Sequence, residues 1–165
     1  LSVRHDGPLK EALKTVPLEV ALESGYLYMG HEEVATLEVE DVLLPEVWTA
    51  PETLTLHLRR EYAPGLTASC TVNGNSVTLA SPLSEEPDAS MDNSEINDID
   101  IRLSFELDRR VITVGELEAL TPGYTFSLNG DMTSPVTIRA NGKAIARGRL
   151  VDMDGTLGVQ IAETL

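Results

Sequence analysis

The feature that most limits the fold is a period-2 alternation of apolar and polar residues that recurs along the chain. Successive side chains of a β-strand point to opposite faces, so this pattern suits a sheet with one dry and one wet face, not an amphipathic helix. In the first half it appears in Leu18-Glu19-Val20-Ala21-Leu22, Thr53-Leu54-Thr55-Leu56-His57-Leu58 and Ser69-Cys70-Thr71-Val72. In the second half it appears in Ile99-Asp100-Ile101-Arg102-Leu103-Ser104-Phe105-Glu106-Leu107, Tyr124–Leu128, Val136–Ala140 and Leu157–Ile161. The dipeptides Asn73-Gly74, Asn129-Gly130, Asn141-Gly142 and Asp154-Gly155 predict tight hairpins, since both residue types tolerate positive φ. Val114–Leu120 reads as a short helix stopped by Pro122-Gly123, and Glu38–Leu44 as its counterpart stopped by Pro45. Aromatic residues make up only 4%, so the core of this mainly β chain must be built from Val, Leu and Ile.

The order of elements repeats. Each half opens on a long alternating strand, near 16–23 and 99–107, and closes with a hairpin and a final strand, Val72–Leu79 against Met153–Ile161. Between them, Ser81–Glu95 is polar and Pro-containing, and residues 81–100 hold seven acids and no base. Such a run repels itself and reads as a solvated linker. The expected organisation is a first unit at 11–80, an acidic linker at 81–98 and a second unit at 99–165. Units near this size bury too little surface to be strongly stable alone, so two of them gain by packing together.

Charge and cysteine content narrow the function. With 27 acids against 12 bases the formal charge is −15, which works against binding polyphosphate backbones or anionic membrane surfaces. Cys70 is the one cysteine, so no internal disulfide can form and a reducing compartment fits best. No apolar run approaches the roughly 20 residues that span a bilayer. The chain opens at Leu1 rather than Met, which reads as a piece of a longer protein, and the cytoplasm is the expected location.

Chemistry has little to stand on. His5, His31 and His57 lie in separate segments, and His57 alternates with Leu56 and Leu58 as a wet-face strand residue. His31-Glu32-Glu33 lacks the second histidine that a zinc helix needs four residues on, where Ala35 stands. Cys70 has no histidine placed beside it as a base, and cysteine is often simply buried. Neither a Gly-rich phosphate loop nor a G-x-S-x-G elbow occurs. The expectation is therefore no catalytic, cofactor or metal site. The rival reading, a small all-β enzyme or ligand-binding module, would require a deep polar pocket joining His31 or His57 to several acids.

The second half carries a resemblance. Val136-Thr137-Ile138-Arg139-Ala140-Asn141-Gly142-Lys143-Ala144-Ile145-Ala146-Arg147-Gly148-Arg149-Leu150-Val151, with Gly158-Val159-Gln160-Ile161 after it, resembles the signature of the SpoA-domain family. Ile99–Leu107 with Thr113–Leu117 is similar to that domain's first strand and helix, and Leu120–Leu128 to the segment that follows. The first half matches by order of elements alone. Two such units look like the C-terminal region of type III secretion cytoplasmic ring proteins (the SctQ, YscQ, HrcQ and SpaO group).

The resemblance implies two SpoA-like units whose strands interlock as an intramolecular pseudo-dimer. It implies a non-catalytic adaptor in the sorting platform, working in protein transport at the cytoplasmic side of the inner-membrane secretion apparatus. The partners implied are the stator-like regulator of the export ATPase (SctL-type), the adaptor linking ring to membrane (SctK-type) and other SpoA-containing subunits. A flagellar motor switch component is the alternative. The family's partner-binding patch maps here onto Leu150, Val151, Asp152 and Met153, with Ser69, Cys70, Thr71 and Val72 as the first-half equivalents. Met91 would suit an internal translation start.

Overall fold

A computed structural model describes residues 8–59, 65–86, 100–129 and 135–165. The first half contains α1 (Pro8–Lys14), β1 (Pro17–Gly30), α2 (His31–Ala35), β2 (Val42–Leu43), β3 (Val47–Trp48), β4 (Thr53–Leu58), β5 (Leu66–Asn73), β6 (Ser76–Leu79) and β7 (Ser84–Glu85). The second contains β8 (Asp100–Thr113), α3 (Val114–Leu117), β9 (Thr125–Ser127), β10 (Val136–Ala140), β11 (Lys143–Met153) and β12 (Thr156–Thr164). The mainly β expectation is met.

The strands form one sheet, ordered β2-β12-β11-β10-β8-β1-β4-β5-β6-β9, with β3 on β1 and β7 on β5. This order is a palindrome about the β8–β1 pair. β1 corresponds to β8, β4 to β10, β5 to β11, β6 to β12 and β2 to β9. The short strand of each half crosses over: β2 pairs with β12 of the second half, and β9 with β6 of the first. The two units are interlocked, as the resemblance implied.

The axis of the palindrome can be placed by residue. β1 and β8 run antiparallel from Pro17↔Thr113 to Gly30↔Asp100, and the ladder shifts on either side of Glu23↔Glu106. Leu22↔Asp108 on one side mirrors Gly25↔Phe105 on the other. The shifts reverse the alternation within each strand. Val20 and Leu22, before the shift, pack into one core, whereas Leu27 and Met29, after it, pack into the other.

Each core is consequently composite. The first gathers Leu54, Leu56, Leu58, Ala68, Cys70, Val77 and Leu79 from β4–β6, and is closed by Ile112, Leu120 and Leu128 of the second half. The second gathers Phe105, Val136, Ile138, Ala146, Val159 and Ile161, and is closed by Leu43, Leu27, Val34 and Trp48 of the first. Leu22 and Phe105 hold equivalent central positions and are both fully buried. A fully buried side chain of this size contributes about 1.5–3 kcal/mol through loss of water contact.

Local chemistry explains where helices and turns fall. Thr113 caps α3: its Oγ1 accepts from the Glu116 amide at 3.1 Å, and the Glu116 carboxylate accepts from the same hydroxyl at 3.2 Å. Such a cap satisfies amides that the first helical turn leaves unpaired. The first-half counterpart of α3 is α2 at His31–Ala35, earlier than the expected Glu38–Leu44. That later stretch instead turns at Glu40, with φ 81°, and pairs Val42–Leu43 with β12. The Asp41 carboxylate accepts from the Glu38 amide at 2.8 Å, a local bond that competes with helix.

Asn141-Gly142 (φ 47° and 92°) and Asp154-Gly155 (φ 55° and 89°) form the expected tight turns. In the first hairpin the loop is Gly74-Asn75, one residue later than expected, since Asn73 pairs with Ser76 and Gly74 has φ 63°. Gly130 of Asn129-Gly130 lies outside the described residues. The stretch expected to start the solvated linker at residue 81 begins with order: Ser84–Glu85 pairs with Thr67 and Leu66 of β5. Residues 87–99, including Met91, lie outside the described residues.

Candidate functional site

Two places on this sheet offer chemistry or contact: a charged cleft at the palindromic axis, and the protruding tip of the β11–β12 hairpin. The cleft forms where the wet faces of β1 and β8 meet. Ala21 and Ser104 are small and leave room at its floor, giving a cavity of about 280 Å³. Around them stand Glu19 and Glu23 of β1, Arg102, Glu106 and Arg109 of β8, Arg139 of β10, His57 of β4, and Arg59 and Glu86.

The acids are held by guanidinium groups. Glu23 is 6% exposed and receives both terminal nitrogens of Arg102, at 2.6 and 3.0 Å. Glu106, also 6% exposed, receives Arg109 at 3.0 Å and a further bond from Arg139 Nε. Arg109 extends on to Glu19 at 2.6 Å. Planar guanidinium matches planar carboxylate, which makes such bonds strong and orienting. Arg102 also lies 4.4 Å above the Tyr26 ring, where the aromatic face attracts its charge.

His57 stands between two carboxylates. Its Nδ1 is 2.7 Å from Glu86 Oε1, and its Nε2 is 2.9 Å from Glu23 Oε2, the latter contact lying off the hydrogen-bond axis. Burial alone would push Glu23 up, but the contacts from His57 and Arg102 outweigh it and hold the carboxyl below its ordinary value. Burial would push His57 down, yet Glu23, and then Glu86, raise it above its ordinary value against a smaller opposing effect of Arg102. Burial likewise opposes the charge on Arg102 and Arg109, and Glu23 and Glu106 respectively more than compensate.

His57 is thus not the plain surface residue that its alternating context predicts. The cleft does join a histidine to several acids, the arrangement that a catalytic reading required. Glu19, Glu23 and Glu106, however, are already bonded to arginines, and Glu86 is bonded to His57 itself. The arrangement fastens the two halves together. What sequence reasoning missed is the pairing itself: Arg102 and Arg109 lie on one strand, and their partners Glu23 and Glu19 lie on another, 79 and 90 residues away. The available signal was that each half places a glutamate, Glu23 and Glu106, midway along its long strand.

The hairpin tip is the second place. Leu150 is 36% exposed and Met153 48%. Leu150 pairs with Val159, which is fully buried, so Leu150 points to the core side but lies beyond the core's edge. Val151 is half-buried opposite Gly158, and Asp152 is exposed, its carboxylate accepting from the Gly155 amide at 2.7 Å. Leu150, Val151 and Asp152 line a shallow depression with Gly155 and Leu157.

The first-half equivalents shift on inspection of register. Leu54, paired with Cys70, corresponds to Val136, paired with Gly148. Cys70 therefore matches Gly148, and Val72 matches Leu150. Cys70 is fully buried in the first core, and burial pushes its thiol up to about 11. Val72 is half-buried and rests against the first core. Its hairpin turns at Gly74-Asn75, immediately after Asn73, whereas the second runs on to Met153 before turning. Only the longer hairpin, of these two, projects past its core. His31 is exposed at the start of α2, and His5 lies outside the described residues. Among the described residues no cluster suits a metal ion, and no helix is long and apolar enough to cross a membrane.

Comparison with known proteins adds the following. Residues 94–165 match the family model described as type III flagellar switch regulator (C-ring) FliN C-term. Yop proteins translocation protein Q of Yersinia pestis is 26% identical over 147 residues, covering 88% of this chain and 47% of that protein. Surface presentation of antigens protein SpaO of Salmonella typhi is 40% identical over 70 residues, 42% of this chain and 23% of that protein. Flagellar motor switch protein FliN of Pectobacterium carotovorum is 37% identical over 70 residues, 42% of this chain and 66% of that protein. The chain spans about half the length of the translocation protein Q relatives it matches. These names describe translocation, surface presentation and motor switching, and none describes a chemical reaction.

Proposed function

We propose that this chain, whose residues 94–165 match the family model of the type III flagellar switch regulator (C-ring) FliN C-term, is a structural, non-catalytic subunit of a type III secretion cytoplasmic ring. The observation that carries the reading is the extent of the likeness to translocation protein Q, which covers 88% of this chain and so includes both interlocked halves. In this reading the chain works in the cytoplasm, at the periphery of the inner-membrane apparatus. It assembles there with the SctL-type regulator of the export ATPase, the SctK-type adaptor and other SpoA-containing subunits.

The contact surface in this reading is the projecting hairpin, Leu150, Val151 and Met153, flanked by Asp152. Exposed apolar side chains gathered on one hairpin cost solvation unless a partner covers them, and they suit an amphipathic helix or an added strand. Val72, by contrast, is largely covered within its own half.

A flagellar switch role is the second reading, favoured by the family description and by the motor switch relative. That likeness covers only 42% of the chain, and the secretion reading accounts for more of it.

Replacing Leu150 with Asp in the whole protein, followed by co-purification from a secreting bacterium, tests the surface. The expected result is loss of the regulator and of secretion, with the melting temperature within about 2 °C of the parent, since exposed sites contribute little to stability. Undiminished co-purification by the folded variant would overturn the assignment of this hairpin as the contact.

A further inference from the structure

The segment Ser84–Glu86 lies across the open end of β5. Two residues of ladder, Thr67↔Ser84 and Leu66↔Glu85, and the bond from the Glu86 amide to Gly65 O at 2.9 Å hold its backbone. A strand this short has little cohesion of its own. The side-chain contact between Glu86 and His57 therefore matters to whether the segment stays in place.

The geometry of that contact has a particular requirement. His57 hydrogen-bonds Glu86 through Nδ1 at 2.7 Å, and its Nε2 lies 2.9 Å from Glu23 off the hydrogen-bond axis, so a carboxylate stands beside each ring nitrogen. A neutral imidazole has one N–H and one lone pair, and would turn its lone pair towards one of the two carboxylates. The imidazolium has an N–H at both ends and suits both. We propose that His57 is a proton-operated latch: protonated, it bridges Glu23 of β1 and Glu86, and keeps Ser84–Glu86 on the sheet; neutral, it lets the segment detach.

Charged groups from the neighbouring elements bear on the ring. Glu19 and Glu23 of β1 and Glu86 favour the imidazolium, whereas Arg102 of β8 and Arg59 on the same face as His57 oppose it. Glu106, Arg109 and Arg139 lie further across the cleft and satisfy one another. The balance raises the histidine's pKa in the folded state. A raised value means that the latch is fully closed below the ordinary histidine range and opens as pH rises through the folded-state value.

Opening frees the end of the segment that in sequence directly precedes Pro87-Asp88. Opening also takes one positive charge from a cleft of otherwise matched pairs. Both effects are independent of which ring the protein serves.

The experiment is NMR on the whole chain between pH 5.5 and 8.5. It follows the His57 ring signals together with the exchange protection of the Glu86 amide, corrected for intrinsic exchange. The expected result is protection that falls along the His57 titration, by about tenfold for each unit separating its latched and unlatched values. Glu86→Gln should lower the His57 midpoint and flatten the pH response of the amide. His57→Gln should abolish that response. Protection that stays constant while His57 titrates, or an unchanged response in His57→Gln, would overturn the latch. A His57 midpoint unmoved by Glu86→Gln would overturn it too, and this surface variant, with a half-exposed side chain, avoids any question of misfolding.

Discussion

The two sides of the central cleft share one backbone plan, and one of the positions at which their side chains differ is telling. On the second-half side, Glu106 is held by Arg109 and Arg139; on the first-half side, Glu23 is held by Arg102 and His57. Arg139 and His57 are equivalents, since Ile138 faces Phe105 as Leu56 faces Leu22 on the neighbouring strands. Arginine keeps its charge at any pH a cell reaches, and histidine does not. One side of the cleft is therefore a permanent clamp and the other a conditional one. The conditional side is the one on which the acidic segment starts.

Substitution can break or sharpen that likeness. The largest effect belongs to the cores that both sides sit above. Leu22→Ala and Phe105→Ala remove equivalent, fully buried side chains, and each should cost about 3–5 kcal/mol. Because each core contains residues of both halves, urea unfolding followed by Trp48 fluorescence and by far-ultraviolet circular dichroism should give one coincident transition in both variants. Separate transitions would show that the halves fold independently and that the likeness is only geometric.

A smaller effect separates two turns of the second half. Gly142 and Gly155 both have φ near +90°, where alanine is strained by about 1 kcal/mol. A Cβ on Gly155 meets open space, whereas one on Gly142 would collide with the Arg59 guanidinium that donates to Asn141 O at 3.2 Å. The Arg59 side chain can move aside, so Gly142→Ala should cost about 0.5 kcal/mol more than Gly155→Ala, the worth of one exposed hydrogen bond. In an Arg59→Ala background the two costs should become equal in thermal melts.

The smallest effect tests the titrating position itself. His57→Arg copies the second half's choice onto the first. In the parent, His57 contributes stability that is complete below the ordinary histidine range and is lost as pH rises through its raised value. Melting temperature should accordingly decline in the parent as pH rises above the ordinary histidine range and stay level in His57→Arg. An equal decline in both proteins would place the pH dependence elsewhere.

The sequence disclosed these relations unevenly. β4 and β10 coincide with the alternating runs because neither strand carries an extra residue; the register shift beside Ile138 places its extra residue in β11. β1 and β8 extend to Gly30 and Thr113, well past the runs near 16–23 and 99–107, because the ladder shifts beside Glu23 and Glu106 reverse the alternation partway. A period-2 reading stops where the phase changes. β2 and β9 contain two and three residues and draw their order from strands of the opposite half, a tertiary effect that no local pattern encodes. Leu150 and Met153 were legible as apolar residues on a strand. Their exposure depends on where the hairpin turns relative to the end of the core, which is a property of the assembled sheet.

The crossing of β2 and β9 also sets a timetable for biosynthesis. A ribosome releases β4, β5 and β6 long before α3 and β9, yet the first core lacks Ile112, Leu120 and Leu128 until then. The nascent chain must carry an unfinished apolar sheet face through that interval, a state exposed to aggregation and to capture by chaperones. The run of acids that the ribosome makes between the two halves keeps the waiting intermediate strongly charged, and so helps to hold it in solution until the second half arrives to complete it.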